Sequence, residues 1–425
     1  MEIPGAPTRL ARRLDTSDAV VVGLGSMIGA GAFAAFAPAA AAAGNGLLVG
    51  LAIAALVAFC NAISSAQLAA RYPESGGAYV YGRERLGPLW GFVAGWGFVV
   101  GKTASCAAMA LTVGNYAYPA AAKPLAIGAV LALTGVSLLG VKKTALLTKI
   151  IVAIVLASLA TIVVGTWLAG SPSAAHLTPT LEGATPYGIL QSAGILFFAF
   201  AGYARIATLG EEVIDPARVI PRAIPIALAI TLVVYAALAI TSLAAAGANA
   251  LASSPAPLAT VVEAAGLGSL RPLVRAGATV ASLGVLLSLL AGVSRTMFAM
   301  ASRRDLPSVL AAVHEVRRTP RRAELLVAVL VVLVVLVADT RLAIGFSSFA
   351  VLTYYAIANA ACWTLAPSER RWPRFLAAIG LAGCLALVVT VPWPSLVTGA
   401  LVLVSGIVLY AVKARVLGAH ERTER

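Results

Sequence analysis

Apolar runs of about 18 to 30 residues, separated by short polar stretches, recur along the whole chain. Coiled as a helix, a run of that length crosses ~30 Å of hydrocarbon. Twelve can be placed, at 18–43, 46–70, 88–118, 124–140, 147–169, 187–212, 221–246, 272–301, 323–338, 342–366, 373–391 and 395–413. The pattern predicts an all-α polytopic membrane protein with twelve transmembrane helices.

Composition excludes the alternative of an ordinary soluble globule. Of 425 residues, 60% are hydrophobic and only 11% charged, with a mean hydropathy of +0.94. A net charge of +14 would suggest nucleic acid, but the placement of the charges removes that reading. Of 31 Lys and Arg, 23 fall in the N-terminus, the even-to-odd loops and the C-terminus or at the helix ends that border them. The opposite loops and their bordering helix ends hold Lys123, Arg271, Arg275 and Arg341, and Lys102, Lys149, Arg205 and Arg295 lie deeper within predicted helices. This is the positive-inside asymmetry, which predicts both termini in the cytoplasm of a protein of the plasma (inner) membrane. The partner is then the lipid bilayer, with no nucleic acid. The basic loop RRDLPSVLAAVHEVRRTPRRAE, 303–324, reads as a solvated topogenic loop, with docking to anionic headgroups as the alternative.

Residues 1–17 lack the apolar core and cleavage site of a secretory signal, so they are expected to stay as a cytoplasmic segment, the first helix serving for insertion. Cys60, Cys106, Cys362 and Cys384 each stand alone in an apolar span without metal-ligand spacing, and read as core filler. His176, His314 and His420 fall in loops or the tail, so the spans hold no histidine relay and no Ser/His/Asp constellation. An enzyme, a metal site and a cofactor are not expected.

The chemistry is expected at two irregular spans. Residues 25–33 read GSMIGAGAF, placing Gly25, Gly29 and Gly31 inside the first apolar run. A helix facing lipid must satisfy its own backbone, so glycines that loosen it are tolerated only against protein or a water-filled cavity. FFAFAGYAR, 197–205, puts Gly202 in the sixth run. When corresponding helices of two repeats are interrupted, they bracket a binding site near the midplane. The break positions alone thus divide the chain into five-helix repeats at 18–169 and 187–366, followed by helices 11 and 12 over 373–413 and a cytoplasmic tail, 414–425. The competing reading is that these glycines only permit close helix packing.

Four segments carry a family resemblance: GSMIGAGAF; RYPESGGAYVYGRERLGPLWGFVAGW, 71–96; FFAFAGYARIATLGEEVIDPARVIPRAI, 197–224; and SRTMFAMASRRDLP, 294–307. The chain resembles a permease of the amino acid–polyamine–organocation superfamily. That resemblance implies a five-plus-five inverted repeat with broken helices 1 and 6, two extra C-terminal helices, and amino acid transport. The physics of the first break agrees. Amides near Ala30 and Gly31 open a half-helix whose dipole favours a substrate carboxylate. Carbonyls released around Met27 and Ile28, and at Phe200 and Ala201, would accept from an α-ammonium. Ser26 either adds a hydroxyl to this site or bonds back to its preceding turn. Phe200 and Tyr203 either gate the site or pack between helices.

Lys102, midway along the third helix, is the sharpest anomaly, since an ionised side chain there costs roughly 3 kcal/mol on insertion scales. No carboxylate is expected within a span to pair with it. Some permeases of the superfamily place a lysine on helix five; here the matching position is Val155, so that role does not carry over. Lys102 is therefore the candidate for exchanging a coupling proton, against the reading that it bonds structural carbonyls. If sodium couples instead, Ser282 and Ser288 on helix eight would line its site. Glu74, Arg83 and Glu84 form an inner gate or re-entrant segment by the same resemblance.

The family often has an acid after the glycine–aromatic pair of helix six, where this chain has Ala204 and then Arg205. Without that counter-charge a neutral amino acid is favoured, and Arg205 is expected to face Glu211 or Glu212. The resulting expectation is a proton-coupled secondary transporter working by alternating access. The alternatives are an exchanger of cationic amino acids or polyamines, and an amino acid sensor that does not transport.

Overall fold

The computed structural model describes residues 14–74, 76–139, 145–177, 184–210, 212–312 and 320–423. Residues 1–13, Glu211 and His314 lie outside it, as do the side chains of Ala30 and of the tail from 414, His420 included. The described chain is helical, with one isolated bridge between Leu14 and Val213.

The first apolar run forms α1 (Thr16–Met27), α2 (Ala30–Ala34) and α3 (Phe36–Ala43). There follow α4 (Leu47–Arg71), a short polar α5 (Ala78–Leu86), α6 (Pro88–Ala117), α7 (Ala122–Leu138) and α8 (Ala145–Ala169). The sixth run is α9 (Pro186–Phe200) and α10 (Ala204–Ala207). The remainder is α11 (Pro216–Ser253), α12 (Pro257–Ala264), α13 (Arg271–Ser302), α14 (Arg321–Val337), α15 (Thr340–Trp363), α16 (Phe375–Val388) and α17 (Trp393–Thr423). Among the described residues, ten helical segments are long and apolar enough to cross a membrane. Two further apolar helices are shorter, α14 with 17 residues and α16 with 14.

Helix starts follow local chemistry. Asp15 opens α1 with a capping box to Asp18, and Thr185 and Asp215 cap α9 and α11, each followed by proline at the first helical position. The long α11 bends at Gly247, whose φ of +70° suits a residue without Cβ.

Contacts define two faces. Leu14 pairs with the Glu212 carbonyl, Lys149 with Asp18, and Arg303 with Glu74, so the start of α1, the start of α8 and the ends of α4, α10 and α13 share one face, here the near face. Tyr116 at the end of α6 meets Leu258 of α12, and Asn115 meets Thr340, on the opposite, far face. The helix α6 is buried nearly along its whole length and forms the axis of the core against α13 and α15, whereas α7, α8 and α17 turn large apolar side chains such as Leu168, Leu131 and Leu401 outward. Such a belt suits lipid.

Candidate functional site

The first run is interrupted as its glycines suggest, at a narrower place. The helix stops at Met27; Ile28 (φ −83°, ψ 72°) and Gly29 (φ −133°, ψ −134°) leave helical dihedrals, and the helix resumes at Ala30. Gly25 and Gly31, expected at the break, lie inside α1 and α2. Their role is contact: a Cβ at Gly25 would lie 3.0 Å from a Val152 methyl, and one at Gly31 only 2.6 Å from the Ala199 Cα. The sixth run is modified more gently. Ala201–Tyr203 forms a 3₁₀ turn with near-helical dihedrals, joining α9 to α10. A Cβ on Gly202 would strike the backbone of Ser26 and Met27, so the two irregular segments cross in backbone contact. Gly29 thus stands at the interruption itself, whereas Gly25, Gly31 and Gly202 sit where helices approach closely.

The freed carbonyls have protein partners. The Tyr235 hydroxyl of α11 lies 2.6 Å from the Met27 oxygen and 3.0 Å from the Ala199 oxygen, so one donor is shared between both irregular segments. The Lys102 ammonium donates to the Ala201 oxygen at 3.3 Å. Tyr235 was not singled out by sequence, because a tyrosine in an apolar run carries no signal of which backbone it will meet.

A cavity of about 90 Å³ lies against these segments, room for several waters at ~30 Å³ each. It runs from Ser26, Lys102, Ala201 and Gly202 in the interior to Gly76, Thr208 and Arg295 toward the near face. Phe98, Met109, Phe198, Val285 and Leu289 give it a largely apolar wall, and Ser105, Ser288, Thr296 and Arg205 complete its polar groups. Of the expected substrate-binding residues, Ser26 and Ala201 line it. Met27, Ile28, Gly31, Phe200 and Tyr203 are buried outside its lining. The Ser26 hydroxyl bonds back to the Val22 carbonyl at 2.8 Å while its residue borders the cavity. Tyr203 packs on Tyr355 with ring centroids 5.1 Å apart, the interhelical alternative. The α13 face was missed except for Ser288; Ser282 is buried away from the lining. Val155 is buried in α8.

Charge in the cavity is cationic. Lys102 is 5% exposed and takes part in none of the ion pairs among the described residues. Arg205 and Arg295 share Glu212, at 3.5 and 3.8 Å, as expected for Arg205. The expectation of no carboxylate within the spans needs correction: Asp18 in the first turn of α1 binds Lys149 at 2.7 Å, and Glu324 is buried at the start of α14 beside Ser137. Their places at helix ends keep them near the polar boundary rather than beside Lys102.

Toward the far face, aromatic rings fill the space. Phe200 and Tyr235 stand 5.1 Å apart, Phe36 and Tyr235 6.4 Å, and Phe33 and Tyr116 5.8 Å. Tyr116 also donates its hydroxyl to the Phe33 carbonyl at 2.7 Å and accepts from the Leu258 amide at 3.1 Å. Toward the near face, Asp305 accepts from Tyr79 at 2.6 Å and Arg83 at 2.9 Å, and Arg303 pairs with Glu74 and Glu84. Glu74, Arg83 and Glu84 are thereby joined at the end of α13, and Gly76 beside them borders the cavity.

The sequence profile described as Amino acid permease matches residues 18–367, the region that holds both irregular spans and the cavity. The chain belongs to the amino acid permease family. Over 418 residues the permease is 57% identical to a protein of Mycobacterium tuberculosis named as an uncharacterized transporter, covering 98% of this chain and 95% of that one. It is also similar to the branched-chain amino acid permease BcaP of Bacillus subtilis, 24% identical over 96% of this chain and 94% of the relative. Cationic amino acid transporter 4 of Homo sapiens is 28% identical over 82% of this chain and 59% of the relative. The permease is thus a multi-pass membrane protein of the amino acid permease family, and the family and the names of its relatives indicate a transporter.

Proposed function

We propose that the permease is a secondary transporter that moves a neutral amino acid across the plasma membrane by alternating access, coupled to protons. The observation that carries this reading is the cavity between two crossing irregular spans, bordered by Ser26 and Ala201, with Phe200, Tyr235 and Tyr116 packed on its far side. In this reading twelve spans form a five-plus-five inverted repeat, 18–169 and 187–366, with helices 11 and 12 following. The near face is the cytoplasm and carries both termini, so the conformation is inward-facing. The substrate carboxylate docks at the amides of Ala30 and Gly31, its ammonium at the Ala201 carbonyl, and its side chain against Phe98, Met109 and Phe198.

Neutral substrates are favoured because Lys102, Arg205 and Arg295 line the cavity and no carboxylate does among the described residues. A cationic side chain would meet like charge at short range. The apolar wall suits a branched-chain side chain, as carried by the Bacillus relative according to its name. Lys102 is the group that exchanges the coupling proton.

Uptake of radiolabelled neutral, acidic and cationic amino acids into proteoliposomes, with and without an imposed pH gradient, tests the reading. Accumulation of neutral amino acids driven by an alkaline interior is expected. Preference for cationic amino acids, indifferent to the gradient, would replace it with the exchanger reading that the human relative's name suggests. Binding without flux would make the protein a sensor.

A further inference from the structure

The Lys102 ammonium occupies a particular place: the carbonyl of Ala201, where the transport reading puts the ammonium of the substrate. Both groups are primary ammoniums with three N–H donors. The carbonyl has lone pairs for two, but two cations a few ångströms apart in a largely apolar cavity repel strongly. Arg205 and Arg295 on the same lining share a single carboxylate, Glu212, so the cavity has little negative charge to spare for a further cation. Substrate and Lys102 therefore exclude one another at this oxygen.

We propose that Lys102 is a tethered stand-in for the substrate ammonium: it caps the Ala201 carbonyl in the empty carrier and is displaced when an amino acid binds. The proposal rests on the transport reading above. Its physical logic is that a buried carbonyl deprived of a donor is costly, and the empty carrier must keep both irregular spans satisfied while it reorients. With Lys102 in place, the unloaded site presents the same capped backbone as the loaded one. The permease then returns empty and performs net uptake, at the expense of affinity. Without the lysine, the site is satisfied only when substrate fills it, and the carrier becomes an exchanger.

The test uses the full chain in proteoliposomes with the amino acid that the unmodified protein takes up best. In Lys102→Met the apparent dissociation constant is expected to fall about tenfold because the competitor is gone, and net uptake into empty vesicles to fall by more than about tenfold, while exchange against preloaded substrate persists. Lys102→Arg should keep net uptake above that of Lys102→Met. In Lys102→Ala, millimolar methylammonium should restore net uptake and compete with substrate, and should do neither in the unmodified protein. This last arm decides even if Lys102→Met does not fold. Unchanged affinity and an unchanged ratio of net uptake to exchange in Lys102→Met would overturn the proposal, as would loss of both fluxes without rescue by methylammonium. If the unmodified protein moves no amino acid, the transport reading fails instead, and the two failures are distinct.

Discussion

In the first span the helix ends at Met27 and restarts at Ala30 across two residues off helical dihedrals, whereas the sixth keeps near-helical dihedrals and merely tightens into a 3₁₀ turn at Ala201–Tyr203. The more open break is the more firmly held. Met27 accepts from Tyr235 and from the Gly29 amide, and its side chain is buried. The milder one is capped by Lys102 at 3.3 Å, from a side chain with four rotatable bonds. Full interruption in a membrane interior demands full external satisfaction of the backbone, so it becomes a fixed point. A 3₁₀ turn stays close to the helix and can change with less rearrangement. The sixth span is therefore expected to be the mobile member of the pair and the first its anchor.

Substitutions at the crossing should break this comparison most severely. Gly202→Val places a branched side chain against the Ser26 carbonyl, and uptake should fall by more than about a hundredfold, equivalent to ~2.7 kcal/mol or more. Gly25→Ala meets side-chain methyls alone, Val152 at 3.0 Å and Thr148 at 3.4 Å, which can yield, and should keep uptake within a few-fold. Similar losses at both positions in the vesicle assay would remove the crossing as the special feature.

Tyr235→Phe comes next. It strips the donor that the Met27 and Ala199 oxygens share, a cost of about 1–3 kcal/mol for buried acceptors, and should reduce uptake roughly tenfold with normal expression. Hydrogen exchange should then rise at Met27–Gly31 more than at Ala201–Ala204 if the first break is the one that depends on the clamp. The reverse pattern would exchange the roles of anchor and mobile segment.

Ser26→Ala sharpens the picture with a smaller effect. Its hydroxyl is spent on the Val22 carbonyl, so apparent affinity should change by no more than about threefold. A tenfold loss would make the hydroxyl a substrate ligand after all.

The smallest effect lies outside the pair. Glu369, which binds Arg71 and Arg85, is held below the usual carboxylate range by the Ala366 amide, with the two arginines adding to it. A depressed folded-state pKa means stability present at neutral pH and lost as pH falls through that pKa. Glu369→Gln should lower the melting temperature by about a degree at pH 7, on the scale of exposed ion pairs, and the difference should vanish in acid below the carboxylate range. A difference that does not shrink as pH falls through the acidic range would exclude the charge as its cause.

Much of this was legible in the chain. Long apolar runs gave the helical membrane fold because hydrocarbon imposes both length and composition, and GSMIGAGAF marked an interruption because glycine loosens a helix that lipid otherwise enforces. Lys102 announced itself by the cost of its charge. The rest depends on partners distant along the chain. That Ile28 and Gly29 break while Gly25 and Gly31 serve contact follows from Val152 and Ala199 lying opposite them. That Phe200 packs on Tyr235 while Phe198 lines the cavity depends on how α9 is rotated against α11, two residues along a helix facing different neighbours. Sequence by itself determined which segments enter the membrane and where their backbone is weak, since these are local balances of burial and hydrogen bonding. Only the tertiary structure decided which side chains satisfy the weakened backbone, because a carbonyl freed from its own helix takes whatever donor packing brings within about 3 Å.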